Sequence, residues 1–424
     1  MRVPPPLPLR AVIVAVGSEL LTPFRTDTNS LFITSRLNDF GIEVVGKVIV
    51  GDRRGELAAF IRESLRRADL LVLTGGLGPT ADDVTREAVS DALGLPLNED
   101  AEITERIRQR FARRGMEMPP VNRVQAQVLR GAAVLPNANG TAPGQWIEYG
   151  SQVILLLPGP PREMRPMLEA ALAERFEPRA SGARLYRRVI KIAGRTESDV
   201  EQVTQPVYSR FATWQPTVET SILAAPGQIE LHFSVRAENT EQGDAILGRA
   251  TSEILAVVGD DVFSTDGRSL EQVVGDLLRQ RGWRIATAES CTGGLLASRL
   301  TDVPGSSDYV ERGIVAYSNR AKEELLGVSG DLIAAHGAVT EAVGEAMAAG
   351  MRTRAGVDVA VGITGIAGPG GGSEAKPVGT VVVAVAWASG VVGRRHRFPG
   401  GREQVKWFAS QAALNLVRQV LEGR

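Results

Sequence analysis

The chain alternates short apolar runs with segments in which apolar residues recur every three to four positions. The runs Ala11 to Val16, Glu43 to Val50, Leu70 to Leu73 and Val153 to Leu157 are separated by helical patterns at Asn29 to Phe40, Asp52 to Arg67 and Asp82 to Leu93. Short β-branched or leucine-rich runs suit strands buried on both faces, and the helices between them supply the cover. The pattern therefore predicts a first α/β domain with a parallel sheet, ending near residue 172. Its character then changes: Arg187 to Ile192, Thr217 to Leu223 and Ile229 to Val235 read as strands, with helices at Glu197 to Tyr208 and Thr240 to Val257. That suits a small α+β connecting domain. After the turn Gly259 to Gly267, Ser269 caps a new helix and the α/β alternation resumes to Arg424. The expected fold class is α/β, with two three-layer domains at 1–172 and 263–424 joined by a small α+β domain at 173–262.

Composition narrows the chemistry. The 424 residues are 43% hydrophobic and 23% charged, with a net charge of -1 that gives no general attraction to nucleic acid or anionic lipid. A lone cysteine, Cys291, excludes an intramolecular disulfide framework and a zinc site of several thiolates. The histidines are His232, His336 and His396, each in or near an ordinary strand or helix pattern, so a Ser-His-Asp triad is poorly supplied. Ala11 to Val16 is too short for the ~7–15-residue apolar core of a secretion signal, and Glu19 stands where a small-residue cleavage site would be wanted. Nor does any segment approach the ~20 apolar residues of a membrane helix. A cytoplasmic location is expected, with no membrane partner.

The stretch Thr287-Ala288-Glu289-Ser290-Cys291-Thr292-Gly293-Gly294 lies where a strand pattern gives way to a helical one, and Lys322 follows in Tyr317-Ser318-Asn319-Arg320-Ala321-Lys322. A serine at a strand end beside a helix start combines a nucleophile with backbone donors for an oxyanion, here those of Cys291 to Gly294. Lys322 could serve as its base if burial or a nearby positive charge depresses its pKa. Tyr317 could relay the proton or orient the pair. Cys291 competes as nucleophile, because a thiol at a helix start can have a lowered pKa. Adjacent strand residues point to opposite faces, so only one of the two can face the site. The plainer alternative makes Ser290 an N-cap, Lys322 a solvated helix residue and Tyr317 part of the core.

Other loops read as binding surfaces. Thr364-Gly365-Ile366-Ala367-Gly368-Pro369-Gly370-Gly371-Gly372 follows a strand, with Lys376 as a countercharge and Arg402 at the start of the last helix as a phosphate candidate. In the first domain, Gly75, Gly76, Gly78 and Thr80 precede Asp82 and Asp83, and a helix start favours an anion such as phosphate. Gly17 and Glu19, Asp27 and Asn29, and Asn139, Gly140 and Thr141 also fall at strand ends or before a helix, where ligands bind in open α/β sheets. Asp82 and Asp83, with Glu19 and Asp27, could hold a hard divalent cation against a pyrophosphate.

Together the Gly75 to Asp83 loop, Asn139 to Gly144, Ala288 to Gly294, Tyr317 to Lys322, and Gly365 to Gly372 with Lys376 to Thr380 resemble the competence/damage-inducible protein CinA family over nearly the whole chain. The resemblance implies a C-terminal nicotinamide mononucleotide deamidase, releasing nicotinate mononucleotide and ammonia without a cofactor, with Ser290 and Lys322 matching the family's serine and lysine. It also implies an N-terminal domain similar to molybdopterin-binding folds, which in some members hydrolyses ADP-ribose with a divalent metal. The connecting domain is similar to a KH-type domain, but it carries no GxxG clamp, so nucleic acid is not expected as a partner. Pro23 departs from the family's usual glycine between Leu21 and Asp27. The resulting expectation is an amidohydrolase acting on small-molecule nucleotides, assembled as a homodimer. The alternative is a non-catalytic nucleotide sensor or scaffold.

Overall fold

The computed structural model describes residues 10–176 and 184–424; the proline-rich start at 1–9 and part of the expected connecting region at 177–183 lie outside the described residues. The first region contains β1 (Arg10–Val16), α1 (Asn29–Asp39), β2 (Glu43–Val50), α2 (Arg54–Leu65), β3 (Leu70–Thr74), α3 (Thr85–Leu93), β4 (Leu97–Glu99), α4 (Ala101–Ala112), β5 (Gln127–Leu129), β6 (Ala133–Leu135), β7 (Gly144–Tyr149), β8 (Gln152–Leu157) and α5 (Pro161–Arg175). Its main sheet has the order β2-β1-β3-β8-β7-β6. Alternation along β1 feeds two cores. Val12, Val14 and Val16 meet Leu57 and Ile61 of α2 and Val89 of α3, while Ala11 and Ile13 meet Leu37 of α1 and Leu168 of α5. Each fully buried Val, Leu or Ile side chain contributes about 1.5–3 kcal/mol, which is why β1 is apolar on both faces.

The middle region holds β9 (Arg184–Ala193), α6 (Glu197–Tyr208), β10 (Val218–Ala225), β11 (Gln228–Ala237), α7 (Thr240–Val258) and β12 (Val262–Ser264), with sheet order β10-β11-β9-β12. The last region holds α8 (Leu270–Arg281), β13 (Ile285–Glu289), α9 (Leu295–Thr301), β14 (Val310–Val315), α10 (Asn319–Leu326), α11 (Gly330–His336), α12 (Glu341–Ala355), β15 (Val359–Gly365), β16 (Thr380–Trp387), β17 (Gly390–Arg397) and α13 (Arg402–Glu422). Its sheet order is β14-β13-β15-β16-β17, with α8, α9 and α13 packed on one face and α10, α11 and α12 on the other. By contacts the chain divides into one unit up to Tyr186 together with Arg236–Gly243, and another comprising Arg187–Val235 and Asp244–Arg424.

The expected parallel sheet needs correction, because both large sheets are mixed. β1, β2, β3 and β8 run parallel, but β7 is antiparallel to β8 and to β6. Likewise β13, β14 and β15 run parallel, whereas β16 is antiparallel to both β15 and β17. Connection length accounts for the reversals of β7 to β8 and of β16 to β17. Gly150-Ser151 and Ala388-Ser389 join successive strands, and a two-residue link can only reverse the chain. No helix among the described residues is long and apolar enough to cross a membrane.

Candidate active site

From β13 the chain passes to β14 on one side and then to β15 on the other. Such a change of direction leaves a crevice beyond the strand ends. Strand alternation decides what enters it. Ala286 and Ala288 face the core beneath α10, α11 and α12, whereas Ile285 faces α8, α9 and α13. Ser290 continues the first of these series and Glu289 the second.

Lys322 reaches Ser290 from α10, whose N-cap Ser318 accepts a hydrogen bond from the Ala321 N–H at 3.1 Å. Lys322 is only 2% exposed, and its Nζ lies 3.2 Å from Ser290 Oγ, 3.2 Å from the Ala316 carbonyl and 3.3 Å from the Tyr317 carbonyl. All three partners are uncharged. Burying an ammonium without a counter-ion penalises its charged form, and this desolvation lowers the Lys322 pKa from the ordinary lysine value. The plainer alternatives for these residues do not hold: Lys322 is buried, Tyr317 is 59% exposed, and the N-cap of α9 is Gly294, not Ser290.

Cys291 also borders the crevice but belongs to the apolar core with Leu296 and Ile363. Burial pushes its thiol up to about 11, so the reactive thiolate is scarce at neutral pH. Cys291→Ala is expected to retain wild-type turnover within about tenfold, since removing a side chain outside the reacting pair leaves the nucleophile and base in place. Iodoacetamide labelling of the native chain should likewise be slow, read against the denatured chain by mass spectrometry.

The turn between Ser290 and α9 is held by a residue overlooked in the sequence. Glu289 is 1% exposed, and its carboxylate accepts the N–H groups of Gly294 at 3.1 Å, Leu296 at 3.0 Å and Ala297 at 2.8 Å. Gly294 has φ 93°, a left-handed conformation that a side chain would strain. This corrects the expected oxyanion donors. The Gly294 N–H is taken by Glu289 and that of Gly293 by the Ser290 carbonyl at 3.1 Å. The N–H groups of Cys291 and Thr292 have no carbonyl or carboxylate acceptor among the described residues. Glu289→Gln is expected to lower stability by about 1.5–3 kcal/mol, because charged acceptors contribute more than neutral ones. A denaturant midpoint reads the loss.

The crevice encloses about 250 Å³ and brings together Ser290, Cys291, Tyr317, Asn319, Lys322, Thr364, Gly365, Gly368, Gly371 and Arg402. Ala338 and Val339 complete its wall, positioned by the Thr364 hydroxyl donating to the Ala338 carbonyl at 2.8 Å. Such small apolar residues carry no chemical signature in a sequence. Three expectations shift. The Tyr317 phenol meets Arg402 Nη2 at 2.8 Å, so it is the Tyr317 carbonyl that touches Lys322. Lys376 donates to the His336 carbonyl at 2.8 Å and is absent from the crevice wall. Thr292, Gly293 and Gly294 are also outside that wall.

In the first unit, a cavity of about 410 Å³ gathers Gly17, Glu19, Gly75, Gly76, Gly78, Asp82, Asp83 and Thr141. An adjoining one of about 290 Å³ shares Glu19 and Gly75 and adds Asp27 and Asn29. Gly140 and Thr141 line a third. Thr80 and Asn139 are in none of these walls: Asn139 donates to the Arg162 carbonyl at 2.8 Å, and Thr80 is tied to Asp83. The Asp83 carboxylate accepts the Gly78 N–H at 2.7 Å, the Thr80 N–H at 2.9 Å and the Thr80 hydroxyl. Those loop donors are therefore satisfied from within.

Both parts of the chain match models of known families. A family model described as "CinA C-terminal domain" matches residues 267–421, and one described as "Probable molybdopterin binding domain" matches 12–178. A CinA-like protein of Koribacter versatilis is 47% identical over 97% of this chain and 99% of its own length. The chain belongs to the CinA family. A second CinA-like protein, from Solibacter usitatus, is 44% identical over 98% of this chain and 99% of its own length. A crystal structure of a CinA superfamily protein from Klebsiella pneumoniae is 36% identical, covers 37% of this chain and 100% of that one, and has a TM-score of 0.36. Within this CinA chain, Ser290, Lys322 and the glycine loop after β15 all fall inside the C-terminal match, and the Gly75 to Asp83 loop falls inside the other.

Among the described residues no three Asp, Glu, His or Cys side chains are grouped to hold an ion. Asp83 is engaged by its own loop, Asp52 accepts the Ser18 N–H at 2.8 Å, and Glu163 accepts from Asn137 Nδ2 at 2.8 Å. Asp83 therefore also acts as a structural acceptor for its own loop, while Asp82 lines the glycine-lined cavity.

Proposed function

We propose that the C-terminal domain hydrolyses the carboxamide of nicotinamide mononucleotide to nicotinate mononucleotide and ammonia. The observation that carries this reading is the buried 3.2 Å approach of Lys322 Nζ to Ser290 Oγ, with no carboxylate on the amine among the described residues. In its neutral form Lys322 takes the Ser290 proton as Oγ attacks the carboxamide carbon. The tetrahedral oxyanion then forms beside the Cys291 N–H group, on the crevice wall, and a donor fixed before reaction costs no reorganisation. Lys322 returns the proton to the amide nitrogen, the C–N bond breaks and ammonia leaves. Water, deprotonated by Lys322, attacks the acyl ester and releases the acid, restoring Ser290. Arg402 and the Gly368 to Gly371 backbone, on the same wall, are suited to the phosphate and ribose.

Incubating the full chain with nicotinamide mononucleotide tests the reading. Ammonia and nicotinate mononucleotide should appear in equal amounts without added metal. Binding without turnover would instead support a nucleotide sensor. For the first unit, the glycine-lined cavity supports binding of a phosphate-bearing ligand.

A further inference from the structure

The 48 basic residues include five lysines, Lys47, Lys191, Lys322, Lys376 and Lys406. Of these, Lys322 alone lines the crevice among the described residues. Lys47 is exposed, Lys191 pairs with Glu230 at 3.6 Å, and Lys376 is tied to the His336 carbonyl. Chemistry selective for an amine in the crevice therefore falls on one side chain. Its partners also fix where the lone pair of the neutral amine points. The Ala316 and Tyr317 carbonyls, at 3.2 and 3.3 Å, can only accept, so they take the two N–H groups. Ser290 Oγ, at 3.2 Å, is the partner that can also donate, and the lone pair turns to it and so to the crevice. Burial without a counter-ion favours this neutral form.

The remaining wall suits a flat ring and an anion. Ala338, Val339, Ile366 and Ala367 supply apolar surface, and no Asp or Glu lines the crevice. Arg402 donates to the Gly368 carbonyl and meets the Tyr317 phenol, both at 2.8 Å and both uncharged. Its guanidinium thus has no carboxylate partner among the described residues and is available to a phosphate.

A pyridine ring that carries an aldehyde and a phosphate ester matches the amine, the apolar wall and the guanidinium together. We infer that the crevice also takes phosphorylated pyridine aldehydes, held as a reversible imine on Lys322, and that such a compound closes the site to other ligands. This rests on the crevice being a pyridine mononucleotide site with Lys322 as its base. The Nζ lone pair adds to the aldehyde carbon while the C=O π pair moves to oxygen. A proton passes from nitrogen to that oxygen, water leaves and the C=N bond remains; nothing is oxidised or reduced. Addition of water reverses the sequence.

Borohydride trapping in the full chain, resolved by peptide mass spectrometry, tests the inference with pyridoxal phosphate, pyridoxal and glyceraldehyde phosphate as probes. Pyridoxal phosphate should label Lys322 at a concentration at least about tenfold below that needed for Lys47, Lys376 or Lys406. Pyridoxal should need at least about tenfold more, the equivalent of one charged hydrogen bond of roughly 1.4 kcal/mol. Glyceraldehyde phosphate should also need more, because it has no ring for the apolar wall. In Ser290→Ala, Lys322 should label at the wild-type concentration or lower, since the hydroxyl that occupies the lone pair is gone. Label confined to the other lysines, in wild type and Ser290→Ala alike, overturns the imine. Labelling of Lys322 by pyridoxal at the pyridoxal phosphate concentration overturns the phosphate role, and equal labelling by glyceraldehyde phosphate overturns the ring pocket. No turnover is read: label on Lys322 in a chain that leaves nicotinamide mononucleotide intact rejects deamidation alone, and deamidation without the label rejects the imine alone.

Discussion

Ser290→Ala is expected to abolish ammonia release from nicotinamide mononucleotide, with a fall of at least about 10³-fold in turnover, as for loss of a nucleophile that acts as a unit with its base. Ser290 is 6% exposed and its hydroxyl is bonded to Lys322, while the neighbouring Cys291 thiol has no bond to that amine among the described residues. If Cys291 were the nucleophile, Ser290→Ala would leave most of the activity and Cys291→Ala would remove it. A paired ammonia assay separates the two. Melting temperatures should remain close, because the substitution removes one hydroxyl and leaves the Glu289 contacts that hold the turn.

Lys322→Met should cost activity on a similar scale, at least about 10³-fold, without a matching loss of stability. Burial lowers the Lys322 pKa, so the folded chain holds this proton less tightly than the unfolded chain does. Between the lowered folded value and the ordinary one the unfolded state binds more protons, and stability rises with pH there; below the folded value the penalty is present in full. Methionine has no such penalty. The variant should therefore melt no lower than the wild type at neutral pH, and any advantage should shrink as pH rises towards the ordinary lysine value. Catalysis follows the same proton with the opposite consequence for the ammonium: only neutral Lys322 accepts the serine proton, so wild-type kcat/KM should rise with pH and level off below the ordinary lysine range. Lys322→Arg should stay inactive, since a guanidinium remains charged. A flat pH profile would remove Lys322 as the base.

Much of this site was legible in the sequence because its chemistry depends on local order. Ser290 follows the apolar β13 run directly, Lys322 lies in the first helix after β14, and Gly365 to Gly371 follow β15, so one sheet edge gathers them. The carboxylates were harder to read. An acidic residue beside a glycine turn is equally suited to a ligand or to the turn's own N–H groups. Only the folded chain shows Glu289 and Asp83 in the second role. Lys376 shows the same limit, since a lysine near a glycine loop does not reveal that it will find the His336 carbonyl. In the sheets, strand runs were visible, but direction depended on the two-residue links Gly150-Ser151 and Ala388-Ser389.

The central claim is that Ser290, with its proton taken by Lys322, forms the bond to the carboxamide carbon. Acid quenching of the full chain during turnover of nicotinamide mononucleotide, followed by peptide mass spectrometry, tests it most directly. An acyl adduct on Ser290 that is absent from Ser290→Ala is the expected result. An adduct on Cys291, or turnover undiminished in Ser290→Ala, would contradict it.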